Sequence, residues 1–265
     1  MAIDFATPVI GVLDSAELSA SDYERCLSDG EQDQISRVRN PLRRRERLAG
    51  RIAAKFLFLQ RRLASPITRD LHLLKINRSA LDRISPSLFR QVLITPPDQG
   101  TGAPHISWCM GQRIAEKAAI SHTDGLACVL LGNGEACSVD FEKSEARISS
   151  FYRHNFTPRE KEWAAACVWR YGLDSTWAYT LLWSMKECML KTGAFGHLTV
   201  WNIPSLEMNI LTGIEELREP HDANELRETF VYLDTEVSDG NRIVAARMAI
   251  SGTAGLVLTA SIHVN

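Results

Sequence analysis

Two stretches of the chain echo one another: AISHTDGLACVL at residues 119–130 and AISGTAGLVLTA at residues 249–260 repeat Ala, Ile, Ser, Thr, Gly and Leu in register. Each predicts a strand, a turn and a second strand. Shared hairpin chemistry would account for one such match. Both copies, however, close a helix-then-strands half of similar length, and this favours a duplicated α+β unit. The expected architecture is two similar α+β halves, residues 1–133 and 134–265, with a site where they meet and different residues contributed by each. His122 in the first copy stands against Gly252 in the second.

From about residue 31 to 62 the spacing of Leu48, Ile52, Ala53, Phe56 and Leu59 predicts a helix, and Arg43, Arg44, Arg45, Arg47 and Arg51 give it a cationic face. PPDQGTGAP at 96–104 breaks any period and predicts a loop. Strands are expected at 117–121 and 126–131, with His122-Thr123-Asp124-Gly125 as the turn, and a third at 136–142. Thr157-Pro158-Arg159-Glu160 is a capping box with Pro at the first helical position. The next predicted helix spans 175–191 and stops at Gly193, and β-rich runs follow at 229–236, 242–250 and 255–264.

A net charge of -2 gives no global reason to expect nucleic acid or a membrane, so any anion site must be local. The six cysteines are scattered without metal-ligand spacing, which suits reduced thiols better than a disulfide framework. The N-terminus has an early acid, no basic segment and no long apolar run, so the expected location is cytoplasmic.

In CSVDFEK, Asp140 and Glu142 project from one face of a strand. For an isolated D-x-E the favoured reading is the solvated face of an edge strand, but Cys137, Val139 and Phe141 make the opposite face apolar, and the motif alone is ambiguous. Trp183, Glu187 and Lys191 form one helical stripe, with Lys186 on the neighbouring ridge. A surface Glu–Lys pair worth about 0.2–0.5 kcal/mol is the plain alternative, but Trp183 at the head of the stripe turns it toward protein. Asp140, Glu142 and Glu187 together would make an all-oxygen site for Mg²⁺, and Lys191 one turn on would neutralise a phosphate held there. Ser121 and His122 suit phosphate binding, whereas adjacent residues cannot form a hydrolase pair and no G-x-S-x-G is present. The run RRRERLAGR reads as a solvated helix face or as a clamp for a polyanion; no aromatic pattern interleaves it as nucleic-acid binding would require.

The order R-R-x-E-R-L-A-G-R, S-H, V-D-F-E, F-T-P-R-E and W-S-M-K-E-C-M-L-K-T-G-A-F-G resembles the 4′-phosphopantetheinyl transferases of the two-domain, surfactin-synthetase-activating type, over about residues 32–196. Its most specific element is W-x-x-K-E-x-x-x-K-x-x-G-x-G. The resemblance implies the 4′-phosphopantetheinyl transferase fold, a pseudodimer of two α+β halves with coenzyme A in the cleft between them. It further implies that Asp140, Glu142 and Glu187 hold Mg²⁺, with Mn²⁺ as a substitute, against the coenzyme A pyrophosphate. Arg44, Arg51 and His122, with Ser121, would bind the adenosine 3′-phosphate and nearby groups. Lys191 would stabilise the pyrophosphate and the departing 3′,5′-ADP, and Glu160 occupies a family position without an assigned role.

The implied reaction is attack of a carrier-protein serine on the β-phosphate of coenzyme A, with Glu187 or a metal-bound water as the candidate base. The partners are coenzyme A and an apo acyl or peptidyl carrier protein of a fatty-acid, polyketide, nonribosomal-peptide or siderophore system, and the chain is expected to be a monomer. Two positions depart from the family pattern: Ser138 stands where a glycine is usual, and Ala103 where many relatives carry a basic residue that Lys117 or Arg113 would replace. The competing readings are a Mg²⁺-dependent phosphohydrolase using the same carboxylates and a non-catalytic coenzyme A binding protein.

Overall fold

The computed structural model describes residues 8–63, 73–96, 104–111, 113–133, 138–195, 200–212, 230–253 and 256–264. The protein is α+β and divides into two compact units, Met1–Gly134 and Glu135–Asn265.

Unit 1 runs β1 (Val9–Asp14), α1 (Ala20–Cys26), α2 (Asp29–Ser36), α3 (Pro41–Leu63), β2 (Leu73–Ile76), α4 (Arg78–Leu81), α5 (Pro86–Gln91), β3 (Val92–Thr95), β4 (His105–Trp108), β5 (Arg113–Thr123) and β6 (Leu126–Asn133). Its sheet has the order β2-β1-β6-β5-β4-β3, with only β1 and β2 parallel. The long helix α3 buries Ile52, Ala53, Phe56 and Leu59 among the residues of the unit 1 core. Gly50 allows a close approach there, because a Cβ on it would lie 2.7 Å from Ile120 Cγ2.

The single helix expected over 31–62 is two helices. Pro41 disfavours helical backbone at Asn40, and the Asn40 side chain instead accepts the Arg43 N–H at 3.1 Å as a cap for α3. The expected four-residue turn also contracts. Only Asp124 and Gly125, at φ 50° and 84°, form it, as a two-residue hairpin requires. His122 therefore lies in β5, opposite Ala127.

Unit 2 runs β7 (Ser138–Lys143), α6 (Ser149–Asn155), α7 (Pro158–Tyr171), α8 (Ser175–Lys191), β8 (Glu207–Thr212), β9 (Val231–Ser238), β10 (Ile243–Thr253) and β11 (Leu256–Val264). Its sheet order is β7-β11-β10-β9-β8, antiparallel throughout. Without β2, unit 1 has the same order. The echoed stretches are the hairpins β5–β6 and β10–β11, closed in the same register: Thr123 opposite Leu126, and Thr253 opposite Leu256.

A buried lysine repeats the correspondence at atomic level. In unit 1, Ser28 and Glu31 form a capping box at the start of α2. Glu31 Oε2 accepts from Lys55 Nζ at 2.6 Å, Glu31 Oε1 accepts from the Ile94 N–H at 3.1 Å, and Lys55 also donates to the Cys26 carbonyl. In unit 2, Thr157 and Glu160 form the capping box of α7. Glu160 Oε2 accepts from Lys186 Nζ at 2.8 Å, Glu160 Oε1 accepts from the Met208 N–H at 2.8 Å, and Lys186 also donates to the Asn155 carbonyl. Each device ties a helix start, the long helix and an edge strand together. With four hydrogen bonds on the Glu31 carboxylate and three on that of Glu160, the low dielectric strengthens each pair and leaves no lone charge.

Candidate metal centre and cationic cavity

In unit 2, β7 and α8 bring three carboxylates together. Asp140 and Glu142 alternate with the buried Val139 and Phe141 along β7, and Glu187 comes from the last turns of α8. One oxygen from each of the three lies within 4.8 Å of the others. Asp140 is 1% exposed, so the motif is not the solvated face of an edge strand.

Lys191 Nζ contacts Asp140 Oδ1 at 2.5 Å and Glu187 Oε2 at 3.3 Å. Trp183 heads the same stripe and leans on Phe151, with ring centroids 5.0 Å apart. Thr192 ends the helix and Gly193, at φ 75°, turns the chain away. Gly196 lies outside the described residues. Lys186 has a separate duty: it is fully buried and paired with Glu160 rather than aimed at the carboxylates. That pairing also gives Glu160 a role, as cap, counter-ion and acceptor for β8.

Burial pushes the Glu142 carboxyl up to about 8, and the charges of Asp140 and Glu187 add to the push. Burial likewise raises Glu187, with Asp140 the next cause. Burial opposes the charge on Lys191, but Asp140 and Glu187 outweigh it and hold the ammonium above the ordinary lysine value. The cluster thus carries more negative charge than one lysine satisfies. All-carboxylate donors at this spacing fit a hard divalent cation such as Mg²⁺ or Mn²⁺.

Unit 1 carries a cavity of about 240 Å³ lined by Arg47, Arg51, Ile94, Thr95, Pro96, Pro104, Ile120 and His122. Arg51 donates to Gln34 Oε1 at 2.9 Å, and its Nε is buried without a hydrogen-bond partner. Burial lowers the Arg51 pKa from its ordinary value, the direction expected where a guanidinium is partly stripped of water.

Arg43 Nη1 lies 2.9 Å from His122 Nδ1 and 3.1 Å from Glu46 Oε2. A guanidinium only donates, so Nδ1 accepts and the ring proton sits on Nε2. Glu46 in turn accepts the Gly125 N–H at 3.2 Å and fixes the hairpin turn to α3.

The candidate residues are distributed unevenly. Arg51 and His122 share the cavity; Arg44 instead donates to the Val38 carbonyl at 3.0 Å, closing the chain before α3. Ser121 is buried and alternates with His122 along β5, so it projects from the opposite sheet face. Lys117, opposite His105, shares that parity and is not among the cavity-lining residues; Ala103 and the Arg113 side chain lie outside the described residues. Sequence reasoning gave no individual role to Arg43 or Arg47, although both stand in the RRRERLAGR run, with Arg43 one helical turn before Glu46.

No protein-family model matches the chain, and no curated protein matches it. Among the described residues, no helix is long and apolar enough to cross a membrane.

Proposed function

We propose that the protein is a 4′-phosphopantetheinyl transferase that moves phosphopantetheine from coenzyme A to a serine of an apo acyl or peptidyl carrier protein. The observation that carries the reading is the grouping of Asp140, Glu142 and Glu187 around the Lys191 ammonium. The carboxylates would hold Mg²⁺, which when bound supplies charge neutralisation for a pyrophosphate. Lys191, already charged and lodged among these acids, takes up charge on the leaving 3′,5′-ADP. Glu187, whose carboxyl is shifted upward, accepts the serine proton as the Oγ–P bond forms and the pyrophosphate P–O bond breaks.

Within this reading the unit 1 cavity receives the 3′-phosphate, with Arg47, Arg51 and His122 on its wall. Each unit is one half of a pseudodimer of two similar α+β halves. A cytoplasmic, monomeric protein without a nucleic-acid or membrane partner completes the proposal.

The test is intact-protein mass spectrometry of an apo carrier protein incubated with coenzyme A, Mg²⁺ and the protein. The expected result is a gain of one phosphopantetheine group, abolished by EDTA, Glu187→Gln or Asp140→Asn. Coenzyme A consumption without a gain on several carriers would instead identify a phosphohydrolase. Transfer retained in Glu187→Gln would overturn the metal assignment.

A further inference from the structure

Lys191 is not the only cation on the acid cluster. Arg147, in the segment joining β7 to α6, reaches back to Glu142, with Nη2 at 3.4 Å from Oε2, and holds Glu145 through Nη1 at 3.1 Å. Its backbone N–H donates to the Tyr152 hydroxyl at 2.8 Å, and its guanidinium carbon lies 5.7 Å from the Phe151 ring centroid. The side chain is 38% exposed, on the wall of an open groove of about 530 Å³ shared with Ile148, Ser150, Phe151 and His154. Unlike the short contact between Lys191 and buried Asp140, this is a long, half-solvated bond to one outer oxygen of the cluster.

We infer that Arg147 is an exchangeable counter-ion that competes with divalent metal for Glu142 and is released into the neighbouring groove when the metal binds. The inference rests on Asp140, Glu142 and Glu187 being a metal site, as proposed above. A divalent ion drawn to the Glu142 carboxylate repels a guanidinium 3.4 Å from one of its oxygens and competes with it for the same charge. By reciprocity, the metal then loosens whatever the guanidinium was holding. Here that is residues 144–148, which lack regular structure and are fastened to β7 by the Arg147–Glu142 bond. Arg147 is thus a positioning residue that links metal occupancy to the start of α6.

The probe is Mn²⁺, titrated into the whole protein and followed by electron paramagnetic resonance of the free ion. Arg147→Gln should bind Mn²⁺ roughly 3- to 10-fold more tightly than the wild type, the range for losing one partly screened charge beside the site. Arg147→Lys should stay near the wild type. Lys143→Gln, which removes one charge from β7, should change the affinity less than Arg147→Gln. Hydrogen exchange at 144–148 should quicken when Mn²⁺ is added to the wild type and should already be fast in metal-free Arg147→Gln.

Unchanged or weaker Mn²⁺ binding in Arg147→Gln would overturn the inference, because a merely structural tether would weaken the site when cut. A wild type that binds no Mn²⁺ would overturn the metal reading itself, and the inference with it. That failure is distinct from Arg147 having no effect on a site that does bind.

Discussion

Metal binding should release a proton near neutral pH, and the amount follows from the burial of the acid cluster. With Glu142 pushed up to about 8 by burial and by Asp140 and Glu187, the metal-free cluster holds a proton at pH 7 that a bound cation must displace. Apparent metal affinity should therefore rise about tenfold per pH unit between about 6 and 8 and level off above. The upward shift of Glu187 steepens the acid end. Stability has the opposite sign in the absence of metal: an acid whose folded pKa is raised favours the folded state at low pH. That advantage is lost as pH rises from the ordinary carboxylate range through about 8. Saturating metal should abolish the decline, so the metal-induced rise in melting temperature should be larger at pH 8.5 than at pH 6. Calorimetric titration of Mn²⁺ at pH 7 in buffers of different ionisation enthalpy should count close to one proton released per metal. An affinity that is flat from pH 6 to 8, with no proton released, would refute the reasoning.

Two further predictions concern the scaffold. Lys186→Met leaves the fully buried Glu160 with the Thr157 and Met208 N–H groups but no cation, and Lys55→Met does the same to Glu31. Each should cost about 3–5 kcal/mol by urea denaturation, and a loss below about 1 kcal/mol would show that the hydrogen bonds alone hold the carboxylate. Gly125→Ala, at φ 84°, should destabilise by about 1–2 kcal/mol. Gly30→Ala, where an added Cβ meets nothing within 4 Å in α2, should stabilise by up to about 1 kcal/mol; equal melting temperatures for the two variants would contradict the backbone argument.

Helix α8 was legible in the sequence to its ends because its signals are local: Asp174 accepts the Trp177 N–H, and Gly193 supplies the left-handed residue beyond Thr192. The strand period put Asp140 and Glu142 on one face and the helical period put Glu187 and Lys191 on one stripe, but that the two come together rested on the family resemblance, since no period relates a helix to a strand. The break at Asn40-Pro41 carried its own signal, but arginine-rich helical spacing on the following side masked it. Strands β2, β3 and β4 are each four residues long, too short for alternation to register, and β8 is barely longer. Lys186 was placed only on the ridge beside the Glu187 stripe, because no pattern in the sequence shows that its partner, Glu160, lies in another helix. Arg147 gave no signal at all, as its bond to Glu142 depends on the path of an irregular segment.

The two units also show why a shared scaffold carries the acid cluster only once. In matching register, Asp140 and Glu142 of β7 face Thr259 and Val257 of β11, while Gly11 and Leu13 of β1 face Val129 and Ala127 of β6. Superposing Lys186 on Lys55 likewise sets Glu187 and Lys191 against Phe56 and Gln60. The unit 1 counterparts thus contain no ionisable side chain. Nor is there space for one at Gly11, since a Cβ there would fall 2.9 Å from both Ile76 Cδ1 and Leu57 Cδ1. Ile76 belongs to β2, the strand that unit 1 adds beside β1, whereas β7 remains at the edge of its own sheet. Glu142 stays partly exposed on that edge strand, whereas at Gly11 the side chains of the added strand and of a packed leucine leave no room for a carboxylate. Unit 1 elaborates the opposite part of its hairpin instead, where His122 replaces the counterpart Gly252 and meets the arginines of α3. The two units thus share a helix-and-hairpin frame but carry different side chains on it, an acid cluster in one and a cavity lined by arginine and histidine in the other.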